Sequence, residues 1–348
     1  MYNFPLCIIN WYGSFLLNRS FRVKIQNKFS GVPQGSNSAG PLFNVYINDL
    51  PNVISHAKIL LFADDAKIFL KIGSINDCYK LQYDISNLNQ WCLRNKVILN
   101  AAKCETISFY KKTKNFDFSY DINDIIINRK EIVKDLGILY DEKLNFNSHL
   151  LYVINKSNKM IAFIKRNTLL FRNSIAIKNL YISLVRSNIM YGSLIWRPNN
   201  KKDIEQIEKI QHKILRYMAF KDKLQFNKFC HDYSNLMLKY ELPSILSLFK
   251  ANEAIFLYKI MSGSINCVSL NNLLPRNNNR ISMRKSLYFY PNLPLIKLYE
   301  RDPIYRLCVI GNNLLIKKPF LSSFDFDLSK VIVLIKMIFY NYSNSDIV

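Results

Sequence analysis

Glycine is scarce in this chain, with 9 among 348 residues, and histidine is scarcer, with 4. The histidines are scattered and none of the seven cysteines lies in a Cys-x-x-Cys spacing. The pattern therefore excludes a small disulfide scaffold and offers no zinc-finger spacing. Adjacent Cys230 and His231 read as a chance pairing, and a reduced, intracellular compartment is the default expectation. Long apolar runs are missing too. Residues 1–18 carry no charge, but Asn3, Pro5, Asn10 and Gly13 interrupt them and no basic start precedes them, which argues against a signal peptide. Residues 331–342 (VIVLIKMIFYNY) are apolar but short and contain Lys336, whereas a spanning helix needs about 20 apolar residues. Both stretches read as core elements, and no membrane partner is expected.

Acidic residues are the third shortage. The chain holds 25 Asp and Glu against 48 Lys and Arg, a formal net charge of +23, and no acid precedes Asp49. Such a surplus points to a polyanionic partner. It is also uneven. Residues 151–230 contain 16 Lys and Arg against Asp203, Glu205, Glu208 and Asp222, a net +12. This is either a set of solvated helix faces or a basic surface tracking a phosphate backbone. More than half the surplus falls in less than a quarter of the chain, which favours the second. Apolar residues make up 49% and aromatics 14%, enough for a sizeable core and too many for a disordered chain. The length suggests about two domains, and no internal repeat is found.

The few glycines cluster at Gly31, Gly35 and Gly40, which suggests a backbone-critical loop. Before it, residues 6–17 read as a helix and Phe21–Ile25 as a short strand. Residues 58–72 read KILLFADDAKIFLKI. Ile59–Phe62 is apolar on both faces, as in a strand buried on two sides. Ala63-Asp64-Asp65 makes a tight turn and Ala66–Leu70 returns, giving a hairpin with two carboxylates at its tip. Adjacent carboxylates on an exposed tip suit hard Mg²⁺ or Mn²⁺, although an isolated Asp-Asp is far more often a plain turn. Residues 75–95 predict a helix with Cys78, Leu81, Ile85, Leu88 and Cys92 on one stripe. Strands are expected at Thr106–Tyr110, Phe116–Tyr120, Ile125–Ile127 and Leu136–Tyr140. Helices are expected at 147–167, 174–190 and 201–219, the last with Ile204, Ile207, Gln211, Ile214 and Met218 on one face. Segment 271–280 reads as a linker or long loop.

Three motifs stand close together in order: GVPQGS (31–36), PLFNVYINDLP (41–51) and LFADDAKIF (61–69). With WCLRNKVILNAAKCETISF (91–109), KDLGILYDEKLNF (134–146), IKRNT (164–168), YISLVRSNIMYGSLIWRP (181–198) and IEKIQHKILRYMAF (207–220), the chain resembles reverse transcriptases of non-LTR, LINE-type retrotransposons, most of all the jockey-like group. The matches run over about residues 5–265. The resemblance implies an α+β fold forming part of a right-hand polymerase. Residues 1–146 would be a partial palm with an antiparallel sheet and 147–265 a helical thumb. Residues 266–348 have no assigned role.

The resemblance also implies roles. Asp64 and Asp65 match the hairpin's metal-binding, catalytic aspartates, which bind Mg²⁺ or Mn²⁺ for two-metal nucleotidyl transfer. Pro33, Gln34 and Gly35 match the loop against the incoming nucleotide and template. Lys103 matches a lysine that approaches the triphosphate, and an ordinary surface lysine stays open beside it. Lys201, Lys202, Lys209 and Lys213 are candidate nucleic-acid contacts. The implied partners are an RNA template, an RNA–DNA hybrid and deoxynucleoside triphosphates, in the nucleus and cytoplasm. Two departures stand out. After PQGS the chain reads Asn37-Ser38-Ala39-Gly40-Pro41, without the family's leucine and with its proline displaced. The family's upstream palm aspartate has no counterpart before Asp49. The expectation is thus an N-terminally truncated RNA-directed DNA polymerase domain, inactive by itself. A non-catalytic nucleic-acid-binding remnant is the alternative, and a helical scaffold with accidental motifs is a distant third.

Overall fold

The structure, a computed structural model, describes residues 39–110, 116–225, 232–275, 288–289, 302–324 and 326–340. The helix expected at 6–17, the strand Phe21–Ile25, the loop with Pro33, Gln34 and Gly35, and Cys230–His231 lie outside them. The chain divides into two compact units, residues 1–131 and 132–348. Secondary structure mixes helices with small two-stranded sheets, an α+β class. Among the described residues no helix is long and apolar enough to cross a membrane.

In the first unit, helix α1 (Ala39–Tyr46) leads to a hairpin of β1 (Lys58–Phe62) and β2 (Asp65–Phe69), followed by helix α2 (Ile75–Arg94). Helix α2 opens with a capping box. Ser74 caps the first turn, and Asp77 at the third helical position accepts from the backbone of Gly73 and Ser74. Lys80, Gly73 and Ser74 together hold the Asp77 carboxyl down at about 2. The predicted apolar stripe then splits between two small cores. Cys78, with Leu81 and Ile85, packs on Tyr120, Ile122 and Ile127. Leu88, Trp91 and Cys92 pack on Ile47, Leu50 and the hairpin residues Ile59, Leu61 and Ile68.

The β-rich run is thinner than its sequence pattern suggests. Strands β3 (Glu105–Thr106) and β6 (Asn128–Arg129) pair in parallel for two residues, and β4 (Asp121–Ile122) pairs with β5 (Ile125–Ile126). The expected strand Phe116–Tyr120 forms no ladder. Its alternation has another cause. Phe118 meets Tyr79 of α2 at 5.1 Å and Tyr120 at 4.9 Å between ring centroids. One-sided docking on a helix gives the same period of two as a half-buried strand.

The second unit begins with the hairpin of β7 (Ile132–Asp135) and β8 (Ile138–Asp141). It is otherwise helical: α3 (Asn147–Asn167), α4 (Ser174–Tyr181), α5 (Lys201–Lys221), α6 (Ile245–Met261), α7 (Pro303–Lys317) and α8 (Leu328–Tyr340), with shorter turns between them. The expected helix 174–190 forms, with a wider π turn at Ile182–Arg186. Helix α5 buries Ile207, Ile210, Ile214, Leu215 and Met218 against Val153, Ile161 and Ile164 of α3 and Ile177 and Tyr181 of α4. Gln211 shares that apolar face because its amide is fully used. It accepts from the Tyr181 hydroxyl at 3.0 Å and donates to the Pro243 carbonyl at 2.9 Å. Gly192 has φ +61, and a Cβ there would lie 2.5 Å from the Ile138 side chain, so glycine is required twice over. Helix α8 contains most of 331–342 and buries Val331 and Ile335 beside Ala251, Ala254 and Tyr258 of α6. The expected 271–280 loop starts inside a short helix, Val268–Leu273, because Leu274 is drawn into a core with Leu257, Ile260 and Leu307.

Candidate functional site

The hairpin forms where expected, with antiparallel register from Lys58 opposite Phe69 to Phe62 opposite Asp65. Asp64 sits in the two-residue turn and Asp65 opens β2, both exposed. The other turn residue, Ala63, has φ 50, a left-handed value that costs an L-residue about 1–2 kcal/mol. The expectation of a strand buried on both faces fails. Ile59, Leu61 and Ile68 face the core, whereas Leu60, Phe62 and Phe69 are 58%, 60% and 47% exposed. A two-stranded sheet has two faces, and α1 and α2 cover one of them. The apolar run reads alike either way.

An anchor behind the hairpin was not singled out from the sequence. Asp84 on α2 is fully buried and accepts the backbone N–H groups of Ser55 at 2.9 Å, His56 at 2.8 Å and Ala57 at 2.6 Å. These are the residues entering β1. A carboxylate taking three amides fixes where the strand starts and so where its tip stands. The signal was present: Asp84 lies three residues after Leu81 and four before Leu88, a lone acid on the apolar stripe. Lys103 is exposed at the end of a 3₁₀ turn, Ala101–Lys103.

The tip carboxylates offer hard oxygen donors to solvent, the chemistry Mg²⁺ and Mn²⁺ favour. Among the described residues no group of three His, Cys, Asp or Glu side chains gathers to hold a metal. Asp64 and Asp65 would thus supply two ligands and leave the remaining positions to water or substrate phosphate.

In the second unit the four candidate lysines all lie on α5. Lys201, Lys202 and Lys209 are exposed, and Lys213 is half-buried with its ammonium 2.7 Å from Asn158 Oδ1 of α3. Lys201 and Lys202 occupy the first turn, where the helix dipole disfavours cations. Helix stability does not explain them there. Lys209, Lys213 and Arg216 follow at helical spacing on one side. Tertiary packing adds Lys165 of α3. Its ammonium is lowered below the usual lysine range by burial first and by Arg216 and Lys213 beside it. The Tyr217 ring receives Lys165 at 5.5 Å and Lys221 at 5.6 Å. Glu208 is withdrawn from this face. It turns inward to accept the Leu246 N–H at 3.0 Å, and burial raises its pKa. The result is a basic ridge, interrupted on α5 by the exposed Glu205 one turn from Lys201 and from Lys209, with an aromatic ring among its cations, a surface chemistry suited to phosphates and bases. Lys165, Arg216 and Lys221 were not singled out from the sequence, because the pairing of α3 with α5 is not written in either helix.

Residues 1–139 match the reverse transcriptase (RNA-dependent DNA polymerase) family. The chain is 28% identical over 227 residues to the RNA-directed DNA polymerase from mobile element jockey of Drosophila melanogaster, covering 59% of this chain and 24% of that protein. It is 26% identical over 230 residues to the probable RNA-directed DNA polymerase from transposon BS of the same organism, covering 59% and 25%. A Pol polyprotein from the type-1 retrotransposable element R1 of Bradysia coprophila is 28% identical over 175 residues, 48% of this chain and 17% of that one. The chain thus spans about a quarter of the jockey and BS proteins. No solved structure matches.

Proposed function

From the premise that this chain carries a reverse transcriptase domain of the non-LTR retrotransposon type, we propose that it contributes the catalytic hairpin and the duplex-holding helices of an RNA-directed DNA polymerase. Residues 1–146 are assigned to the palm and 147–265 to the thumb. The partners are an RNA template, its RNA–DNA hybrid product and deoxynucleoside triphosphates. The observation that supports this best is the exposed Asp64–Asp65 pair on a hairpin anchored from behind by Asp84. Mg²⁺ or Mn²⁺ held by that pair would supply neutralisation of the triphosphate charge when bound. The protein's part is placement. Asp84 fixes the start of β1, the register carries that position to the turn, and the turn presents both carboxylates together. Pro33, Gln34 and Gly35 are proposed to line the nucleotide, and Lys103 to approach its phosphates. Lys201, Lys202, Lys209 and Lys213, with Lys165 and Arg216, are proposed to follow the duplex backbone.

A second reading is nucleic-acid binding without chemistry. The basic ridge favours it, because that ridge is built wholly within residues 132–348 and needs nothing from the hairpin. One pair of assays separates the two. Binding of a labelled RNA–DNA hybrid should weaken steeply with salt. Reversing Lys201, Lys202, Lys209 and Lys213 to Glu should lower the log–log salt slope by about 3, at roughly 0.7–0.9 per lost phosphate contact. Primer extension in Mg²⁺ or Mn²⁺ that disappears in Asp64→Ala establishes the polymerase reading. Salt-dependent binding with no extension, even when the chain is supplemented with an upstream segment that carries a palm aspartate, establishes the second. Binding indifferent to both salt and the four reversals overturns both.

A further inference from the structure

The basic ridge on α5 ends in an apolar tip. Phe220 follows Arg216 by four residues and Lys213 by seven, so it stands on the same side of the helix as those cations and Lys209. With a rise of about 1.5 Å per residue, Arg216 and Lys213 lie about 6 and 10 Å back along the axis. Phe220 is 75% exposed. A solvated helix face gains nothing from a phenyl ring there.

A second apolar group meets this end. The loop after α3 carries Leu169, Leu170 and Phe171, and Leu169 and Leu170 are 68% and 93% exposed. The last turns of α5 hold the start of that loop. The Tyr217 hydroxyl lies 2.9 Å from Thr168 Oγ1, and the Lys221 ammonium donates to the Leu169 carbonyl. Thr168 is buried, and the residues just beyond it are left in solvent. Exposed apolar residues scattered singly are ordinary, but these gather at one end of a charged ridge.

The surroundings select the occupant. Lys165, Arg166, Arg172, Arg216 and Lys221 all belong to this end. Residues 143–202 contain no Asp or Glu, and neither do residues 209–221. Asp222 accepts from the Tyr240 hydroxyl at 2.8 Å, and Glu241 is paired with Lys178 at 2.9 Å. Like charge disfavours a second copy of this tip docking on the first, whereas an anionic partner fits. A polynucleotide also fits the order of groups along the helix. Cations at helical spacing meet phosphates, and the apolar side chains beyond them meet the faces of bases. Within a duplex those faces are covered by their neighbours, whereas an unpaired base offers both of its own.

We propose that Phe220 and Leu170 hold unpaired bases of a single-stranded extension leaving the hybrid that the ridge binds. The proposal rests on the nucleic-acid-binding reading above and deepens it. The ridge holds the phosphates of the paired strands, and the tip selects the junction where pairing stops.

The test uses the full chain and two labelled 12-base-pair RNA–DNA hybrids. One carries a four-nucleotide single-stranded extension, and the other carries the same extension without its bases, so that their charge is equal. Wild type should bind the first about tenfold more tightly, within the range of a single base–aromatic stack. Phe220 and Leu170 are exposed, so Phe220→Ala/Leu170→Ser should fold normally. It should lose the preference for bases while keeping its affinity for the baseless hybrid. Its salt slope should not change, because neither substitution alters charge. Phe220→Trp should keep the preference. No preference in wild type, or one that survives in the double variant, overturns this proposal; if binding is still weakened by the four-lysine reversal on α5, the proposed function stands. If wild type binds neither hybrid, the proposed function fails and this proposal fails with it. Flotation with vesicles of mixed phosphatidylserine and phosphatidylcholine, and sedimentation of the chain by itself, test the other occupants. Vesicle binding or self-association that the double variant abolishes, with no preference for bases, assigns the tip to a membrane or to a second copy and overturns the strand.

Discussion

Asp84 is the residue on which the position of the hairpin depends, and removing it has a calculable effect. Its two oxygens take three backbone N–H groups from Ser55, His56 and Ala57. A hydrogen bond to a charged group contributes about 1.5–3 kcal/mol, and an orphaned buried donor costs about 1–3 kcal/mol. Ser55 and His56 lie at the surface, so water can reach part of the vacated site and the full sum is not expected. Asp84→Ala should therefore free the entry to β1 by about 3 kcal/mol, roughly a hundredfold in local opening. Asp84→Asn is a finer probe. His56 and Ala57 share Oδ2, while Ser55 alone uses Oδ1. The amide carbonyl can therefore keep the pair and present its NH₂ to Ser55, losing about 1.5 kcal/mol or roughly tenfold. Amide hydrogen exchange at residues 55–57 and along β1 reads both values. Trp91 packs in the same core as the hairpin, and its fluorescence in urea gives the global counterpart. Exchange in Asp84→Ala within about threefold of wild type would refute the anchoring argument, because three such bonds cannot be lost that cheaply.

Two further outcomes follow from single residues. Burial lowers His149 to about 4 from 6.5, and His212 to about 4 through burial and then Arg216. Both are neutral when folded, so between pH 6.5 and 4 the unfolded chain binds protons that the folded chain refuses. Stability should be full above about pH 6.5 and fall toward pH 4, by about 3 kcal/mol from His149 and less from the half-exposed His212. A Tm at pH 4.5 equal to that at pH 7, or a wild-type pH dependence in His149→Gln, would contradict this. At the hairpin tip, Ala63→Gly should stabilise the first unit by about 1 kcal/mol in urea titration, because glycine adopts φ 50 without the Cβ clash. A destabilised Ala63→Gly would show that the turn carries no strain.

Much of this molecule is legible along the chain because its information is local. Periodicity alone places α2, α3 and α5 nearly to the residue, since one apolar stripe on each suffices to bury it. The hairpin is equally local: two short apolar strands around Ala63-Asp64 can pair only across that turn. The tip carboxylates therefore come from sequence, as does the excess of lysine on α5. Tertiary structure decided the remainder. Whether Ile59–Phe62 is covered on one face or two depends on what packs against it, and Leu60 and Phe62 stayed exposed. Phe116–Tyr120 alternates like a strand but docks on a helix. Asp84 looks like one more surface acid until the chain entering β1 folds over it. Arg197, Glu253 and Arg306 lie far apart in sequence, and only the packing of α6 and α7 sets two guanidiniums on one carboxylate oxygen. Periodicity records which side of an element is buried. Partners, and the charge balance among them, exist only after distant segments meet.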